Sequence, residues 1–289
     1  MKPAPFEYSR PADIDEACAL LAADDGARLI AGGQTLVPLM AMRLARPALL
    51  IDINDIAALQ GIAVDGDALV LGAGTRQRAV ERSAEVRRAL PLLAKALCFV
   101  GHQQTRNRGT IGGSLVHGDP SAEIPLVTLV LGASLHALSA RGAATYDAAS
   151  FFDGPMMTAL AADECLVEVR YPIWPGERIG TAFHEVAARR GDFAIVAACA
   201  QVQLDRAGRC ARIAAGVGGA APTPVRLRGL EDALAGGTLA PEAVEAALAG
   251  IDEALEPDSD LHAGADYRRR VARVLLGRAI EQARADALS

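Results

Sequence analysis

The chain has 289 residues and a mass of 30.0 kDa, above the roughly 100–150 residues of a common single domain, so two domains are expected. Hydrophobic residues make up 51% and the mean hydropathy is +0.21, yet much of this is alanine and no run of about 18 uncharged apolar residues occurs, which argues against a membrane span. A net charge of −6, a pI near 5.4 and arginines scattered among acids argue against nucleic acid as a partner.

Met1 to Arg10 lacks the basic-then-apolar order of a signal peptide, so a cytoplasmic protein is expected. From Asp13 the run I-D-E-A-C-A-L-L-A-A has helical spacing, with Asp13 and Glu16 placed as a capping box. Ala27 to Ala31 is short and apolar, Gly32-Gly33 interrupts it, Leu36 to Leu44 follows, and Ala48 to Asp52 is a second apolar run. This predicts strand, loop, helix, strand. A hairpin is expected about Asp65-Gly66-Asp67, and residues 76–99 have helical periodicity with Pro91 suited to a first helical position. Gly101 to Pro120, rich in glycine and polar groups, reads as a structured loop.

Ala122 to Leu131 is apolar, and Ala133 to Leu138 and Glu164 to Tyr171 read as strands that close a first domain. Pro172-Ile-Trp-Pro-Gly176 then sets a boundary near residue 175, giving domains 1–175 and 176–289. The second domain is expected to be α+β. It has strand-like runs at Thr181 to Ala187, Phe193 to Leu204 and Cys210 to Gly216, and three helical runs, the last from about Ala265 to Leu288. The cysteines (Cys18, Cys98, Cys165, Cys199, Cys210) form no C-x2-C pair, so they read as reduced, buried thiols and any metal is expected on another chain.

Two glycine loops carry the chemistry. Ala31-Gly32-Gly33-Gln34-Thr35-Leu36 stands between a strand and a helix, where backbone N–H groups and a helix N-terminus suit a pyrophosphate. Taken alone, the glycine pair reads first as a tight turn. A second loop, Thr110-Ile111-Gly112-Gly113-Ser114, with Asp119 and Glu123 after it, shifts the balance. A dinucleotide needs phosphate donors and an acid for its sugar hydroxyls, and the two loops together supply both. Asp119 and Glu123 remain open between that role and those of an ordinary loop acid and a helix-start charge.

AGGQTLVPLMAMRLARP from Ala31 and TRNRGTIGGSLVHGDPSAEIP from Thr105 resemble the two FAD-binding signatures of the medium flavoprotein subunit of molybdenum hydroxylases, the carbon monoxide dehydrogenase and xanthine dehydrogenase type. LGAGTR from Leu71, AFHEVA from Ala182, RGDFAIV from Arg190 and GVGGAAPTPVR from Gly216 extend the resemblance over nearly the whole chain. It implies an α+β protein with a vanillyl-alcohol-oxidase-type (PCMH-type) FAD-binding domain of two α/β subdomains and a smaller α+β C-terminal domain. It also implies that Leu29, Ile30, Ala31, Gly32, Gly33, Gln34, Thr35 and Leu36 wrap the pyrophosphate, and that Thr110, Ile111, Gly112, Gly113 and Ser114 line the flavin and phosphate region. By the same resemblance Glu123 binds sugar hydroxyls and Leu166 touches the flavin. His184 stands where relatives have a lysine near the isoalloxazine, or is a strand histidine facing solvent. Phe193 either stacks on the flavin or packs at the domain interface.

The implied partners are a small [2Fe–2S] subunit and a large molybdopterin-binding subunit, in a dimer of heterotrimers, with this chain passing electrons to an external acceptor. A free-standing FAD oxidase and a flavin-free scaffold subunit are the alternatives. Gly216-x-Gly218-x-x-Ala221 matches a Rossmann pattern but lacks a βαβ context, with Pro222 and Pro224 directly after it, and reads as a bend.

Overall fold

The computed structural model describes residues 2–289. β1 (Glu7–Ser9), α1 (Ile14–Ala23), β2 (Ala27–Ile30), α2 (Leu36–Ala41) and β3 (Leu49–Asp52) come first. Both outer strands pair in parallel with β3, giving the order β1-β3-β2. The capping box forms: Glu16 N–H donates to Asp13 Oδ1 at 2.9 Å and Ala12 N–H donates to Glu16 Oε2 at 2.7 Å. This start turns Ala17, Cys18 and Leu21 of α1 onto Ile51 and Ile53.

Next come β4 (Ile62–Asp65) and β5 (Ala68–Gly72), the hairpin expected around Gly66, then α3 (Gln77–Arg82), α4 (Ala84–Ala89) and α5 (Pro91–Leu97). Residues 76–99 are thus three helices rather than one. Ser83 ends the first and caps the second, its hydroxyl accepting from Val86 N–H at 3.2 Å, and Pro91 opens the third. Residues 101–120 are not a loop throughout: α6 (Gln103–Arg108) and α7 (Ile111–His117) occupy most of them. Tertiary bonds hold α6. Arg106 is buried, pairs with Glu81 at 2.9 Å and donates to the carbonyls of Val100 and Gly101 at 2.8 and 3.1 Å.

α8 (Glu123–Leu131) precedes β6 (Ser134–Ser139), β7 (Gly142–Asp147), β8 (Phe152–Gly154), β9 (Met157–Thr158) and β10 (Cys165–Pro172). These strands complete an antiparallel five-stranded sheet of order β4-β5-β10-β6-β7, with β8 and β9 a separate hairpin. Leu71, Leu135, Val169 and Tyr171 on one sheet face pack with Leu93, Ile111 and Leu126 of the helices in one core.

β11 (Ile179–Ala187), β12 (Ala194–Leu204), β13 (Cys210–Gly218) and β14 (Val225–Arg226) form an antiparallel sheet in chain order, followed by α9 (Arg228–Leu234), α10 (Pro241–Leu248) and α11 (Ala265–Leu288). Both glycines of the rejected Rossmann pattern, Gly216 and Gly218, lie in β13 rather than in a bend; the turn starts at Gly219, and β14 rather than a helix follows at Val225. The sheet is covered twice, by α5 and α8 on one face and by α11 on the other. That explains why β12 is buried along most of its length with no polar alternation, and why it is rich in alanine. Buried residues of α11 at 268, 272, 275, 276, 279, 280, 283 and 287 follow the helical repeat.

No helix among the described residues is long and apolar enough to cross a membrane. All five cysteines are free; Cys98 is exposed, against the sequence expectation, and the other four are buried.

Candidate functional site

The first glycine loop connects β2 to α2, whereas the second is not a loop but Thr110 and the first turn of α7, and both border one cleft of about 610 Å³, a volume in the range of ordinary cofactor cavities. Leu29, Ile30, Ala31, Gly32, Gly33, Gln34, Thr35 and Leu36 line it, as do Thr110, Gly112, Gly113, Ser114, Glu123 and Leu166. Ile111 does not. It points away from the cleft into the main core, where it is fully buried.

The first loop is built to receive an anion. Gly33 adopts φ +69°, and the chain then enters α2 with Val37 N–H bonded to Gly33 O at 3.1 Å. The N–H groups of Gly32, Gly33, Gln34, Thr35 and Leu36 find no acceptor among the described residues. Successive unpaired donors ahead of a helix form a concave positive site that fits the pyrophosphate of FAD. In the second loop Thr110 Oγ1 caps α7 by accepting from Gly113 N–H at 3.1 Å, and Gly112 N–H donates to Ala73 O at 2.8 Å. A Cβ on Gly112 would stand 2.6 Å from Ala73 Cβ, so a glycine is needed for α7 to sit this close to β5.

Glu123 begins α8 and is only 4% exposed. Burial first, and then Asp119, push its carboxyl up to about 7, against the opposing effects of its own backbone N–H and Arg106. Burial and Glu123 push Glu185 up to about 8. In both cases the folded state favours the proton. Stability from these groups is present below the unfolded carboxyl pKa, near 4.3, and is lost as pH rises through about 7 to 8. Were Glu123 to accept from sugar hydroxyls, its ionised form would be the stronger acceptor, so FAD binding should run the other way. The FAD dissociation constant should fall several-fold between about pH 6 and about pH 8, by no more than about tenfold per unit. Titration of wild type against Glu123→Gln checks this; an equally steep pH dependence in the variant would remove Glu123 from the site.

Leu166 reaches the cleft because β10 bulges between Leu166 and Glu168, which re-aims the strand. His184 does not reach it. Alternation along β11 turns Ala182 and Val186 toward α11, and His184 shares their face, where burial lowers its pKa; Phe183 and Glu185 take the opposite face, toward α5 and α8. Phe193, just ahead of β12, lines the cleft at 60% exposure and so is not a packed core residue.

Sequence reasoning missed Thr158, Leu160, Ala161, Ala162 and Glu164, which line the cleft on the way from β9 to β10. Nothing in these residues signals a ligand. Arg28 on β2 was also passed over.

Residues 4–174 match the model of the FAD binding domain in molybdopterin dehydrogenase, and residues 181–283 match the CO dehydrogenase flavoprotein C-terminal domain. The chain is 39% identical to the nicotine 6-hydroxylase medium subunit of Paenarthrobacter nicotinovorans over 98% of this chain and 99% of that one. Among solved structures it is similar to CO dehydrogenase from Oligotropha carboxidovorans, with a TM-score of 0.96, 34% identity and coverage of 99% and 100%. It is also similar to quinoline 2-oxidoreductase from Pseudomonas putida 86, with a TM-score of 0.95, 36% identity and full coverage of both chains. By these two matched domains and this whole-length likeness, the chain belongs to the FAD-binding medium subunits of the molybdenum hydroxylases.

Proposed function

We propose that this chain holds FAD in the cleft between its two glycine loops and acts as an electron relay, taking electrons from a small [2Fe–2S] subunit and delivering them to an external acceptor. The observation that carries this reading is the run of unpaired N–H groups from Gly32 to Leu36, set in one cleft with Gly113, Ser114 and Glu123. A large molybdopterin-binding subunit is the site of substrate oxidation, and the assembly is a cytoplasmic dimer of heterotrimers. Residues 1–175 form the FAD-binding unit and 176–289 the C-terminal unit, a division supported by the two family models falling on either side of it.

When bound, FAD supplies a ring that accepts electrons and passes them on. The protein's share is placement. Gly32 to Leu36 present donors to the pyrophosphate, and Gly112, Gly113 and Ser114 approach closely from the opposite loop. Of the other residues that line the cleft, Glu123 would hold sugar hydroxyls, Leu166 would give an apolar contact, and Phe193 would shield the flavin from solvent and dioxygen.

Mixing the FAD-loaded chain with its pre-reduced [2Fe–2S] partner should bleach the flavin's visible absorbance, while the lone chain should turn over no alcohol or acid substrate. Phe193→Ala should alter the flavin spectrum and speed reoxidation by dioxygen severalfold, with the chain still folded. Substrate turnover by the lone chain would replace the relay reading with that of a free-standing oxidase.

A further inference from the structure

The two glycine loops share no backbone hydrogen bond with each other among the described residues, yet they lie against one another. A Cβ on Gly32 would fall 2.3 Å from Arg108 O and 2.8 Å from Gly109 Cα. Their approach is fixed through Arg76, which follows β5 and immediately precedes α3. Its guanidinium donates from Nη1 to Arg108 O, the same oxygen that Gly32 faces, and from Nη2 to Asn54 Oδ1 at 2.7 Å. Asn54 Nδ2 in turn donates to Ala31 O at 2.8 Å. The chain of bonds therefore runs from the first loop to the second through two side chains.

Both ends of the link are anchored. Asp52 Oδ1 accepts from Asn54 N–H at 2.9 Å and from Asn54 Nδ2 at 2.6 Å, and Tyr8 OH donates to Asp52 Oδ2 at 2.5 Å. On the other side Gln77 N–H donates to Gly109 O at 2.9 Å and Ile111 N–H to Thr75 O at 3.1 Å, so the backbone flanking Arg76 is stitched to the second loop. Arg76 forms no ion pair among the described residues; its acceptors are a carbonyl and a neutral amide. Arginine suits this place because its planar fork reaches two acceptors in fixed directions, which a lysine cannot do.

We infer that Arg76, acting with Asn54, is a positioning residue that clamps the two FAD-binding loops at the separation the cofactor requires. It does not line the cleft, so its effect passes through the backbone of Ala31 and Arg108. The inference rests on the cleft being the FAD site.

The test is FAD titration of the purified full chain as wild type, Arg76→Met, Arg76→Lys, Asn54→Ala and the Arg76→Met/Asn54→Ala double variant, with amide hydrogen exchange on each. Arg76→Met should weaken FAD binding about thirtyfold or more, the order expected for two lost hydrogen bonds, both donated by the charged guanidinium. Asn54→Ala should weaken it severalfold, and the double variant should bind no worse than Arg76→Met, because both residues act through one link. Arg76→Lys, keeping charge and one bond, should recover part of the loss. Exchange should rise together at residues 31–36 and 108–114. Additive losses, or wild-type affinity in Arg76→Met, would overturn the clamp. Should Arg76→Met not fold, Asn54→Ala alone decides: unchanged affinity and unchanged exchange in the second loop reject it. A wild-type chain that binds no FAD defeats the site reading itself, a result distinct from the other two.

Discussion

Replacing Gly32 by alanine should strip the protein of FAD while leaving most of its fold intact. The added methyl would stand 2.3 Å from Arg108 O, 2.8 Å from Gly109 Cα and 2.9 Å from Arg108 C, all backbone atoms that cannot rotate aside. The loops must separate, and the spacing of donors around the cofactor goes with them. Overpacking against backbone costs about 3 kcal/mol, so the FAD dissociation constant should rise roughly a hundredfold or more. Its neighbour differs in kind: Gly33 has φ +69°, so alanine there meets the left-handed penalty of about 1–2 kcal/mol, and its nearest obstacle is a side-chain methyl of Val37 at 3.1 Å. Gly113→Ala meets only Thr110 Oγ1, at 2.7 Å, and threatens a helix cap worth about 1 kcal/mol. Fluorescence titration of the three variants should therefore rank Gly32 well above Gly33 and Gly113. Equal losses in all three would mean that contact with the ligand, rather than loop spacing, sets the affinity.

The glycine pairs were legible in the sequence, but which glycine bears the closest approach was not. That depends on Arg108 O, a backbone atom 76 residues away along the chain. The same division holds for the fold. The capping box at Asp13 and Glu16 is a local signal and forms as read. α6 carries no apolar repeat in Q-Q-T-R-N-R, and it is held by the buried pairing of Arg106 with Glu81, a contact that sequence spacing does not reveal. β7 was invisible because G-A-A-T-Y-D is an edge strand with mostly exposed or half-exposed small residues, and it pairs with β6 without needing alternation. The family resemblance puts His184 near the cofactor, or else on a strand face toward solvent, and it takes neither place. Strand parity gives the face of β11 toward α5 and α8 to Glu185. One residue of register separates a side chain that meets α11 from one that meets Glu123.

The other large effect is expected far from the cleft, at Gly180 on β11. A Cβ there would fall 2.0 Å from Ala283 O and 2.3 Å from Ala287 N, inside the backbone of the last turns of α11. No side chain can yield, so alanine must push the end of the helix off the sheet. The displacement would break more than packing. Asp286 Oδ2 accepts from Thr181 N–H at 2.9 Å and from Lys95 Nζ at 2.8 Å, tying α11 to both β11 and α5. Ala283 and Ala287 would lose their burial against the sheet at the same time. Steric overlap with backbone and the loss of these bonds together place the cost of Gly180→Ala at about 3 kcal/mol or more. At about 2–4 °C per kcal/mol, Tm should drop by roughly 6–12 °C. Flavin affinity at a temperature well below the transition should change little, because the cleft is lined from other elements. The opposite pattern to Gly32→Ala is thus expected, and calorimetry beside FAD titration separates the two. An unchanged Tm in Gly180→Ala would show that the last turns of α11 contribute nothing to the stability of the sheet they cover.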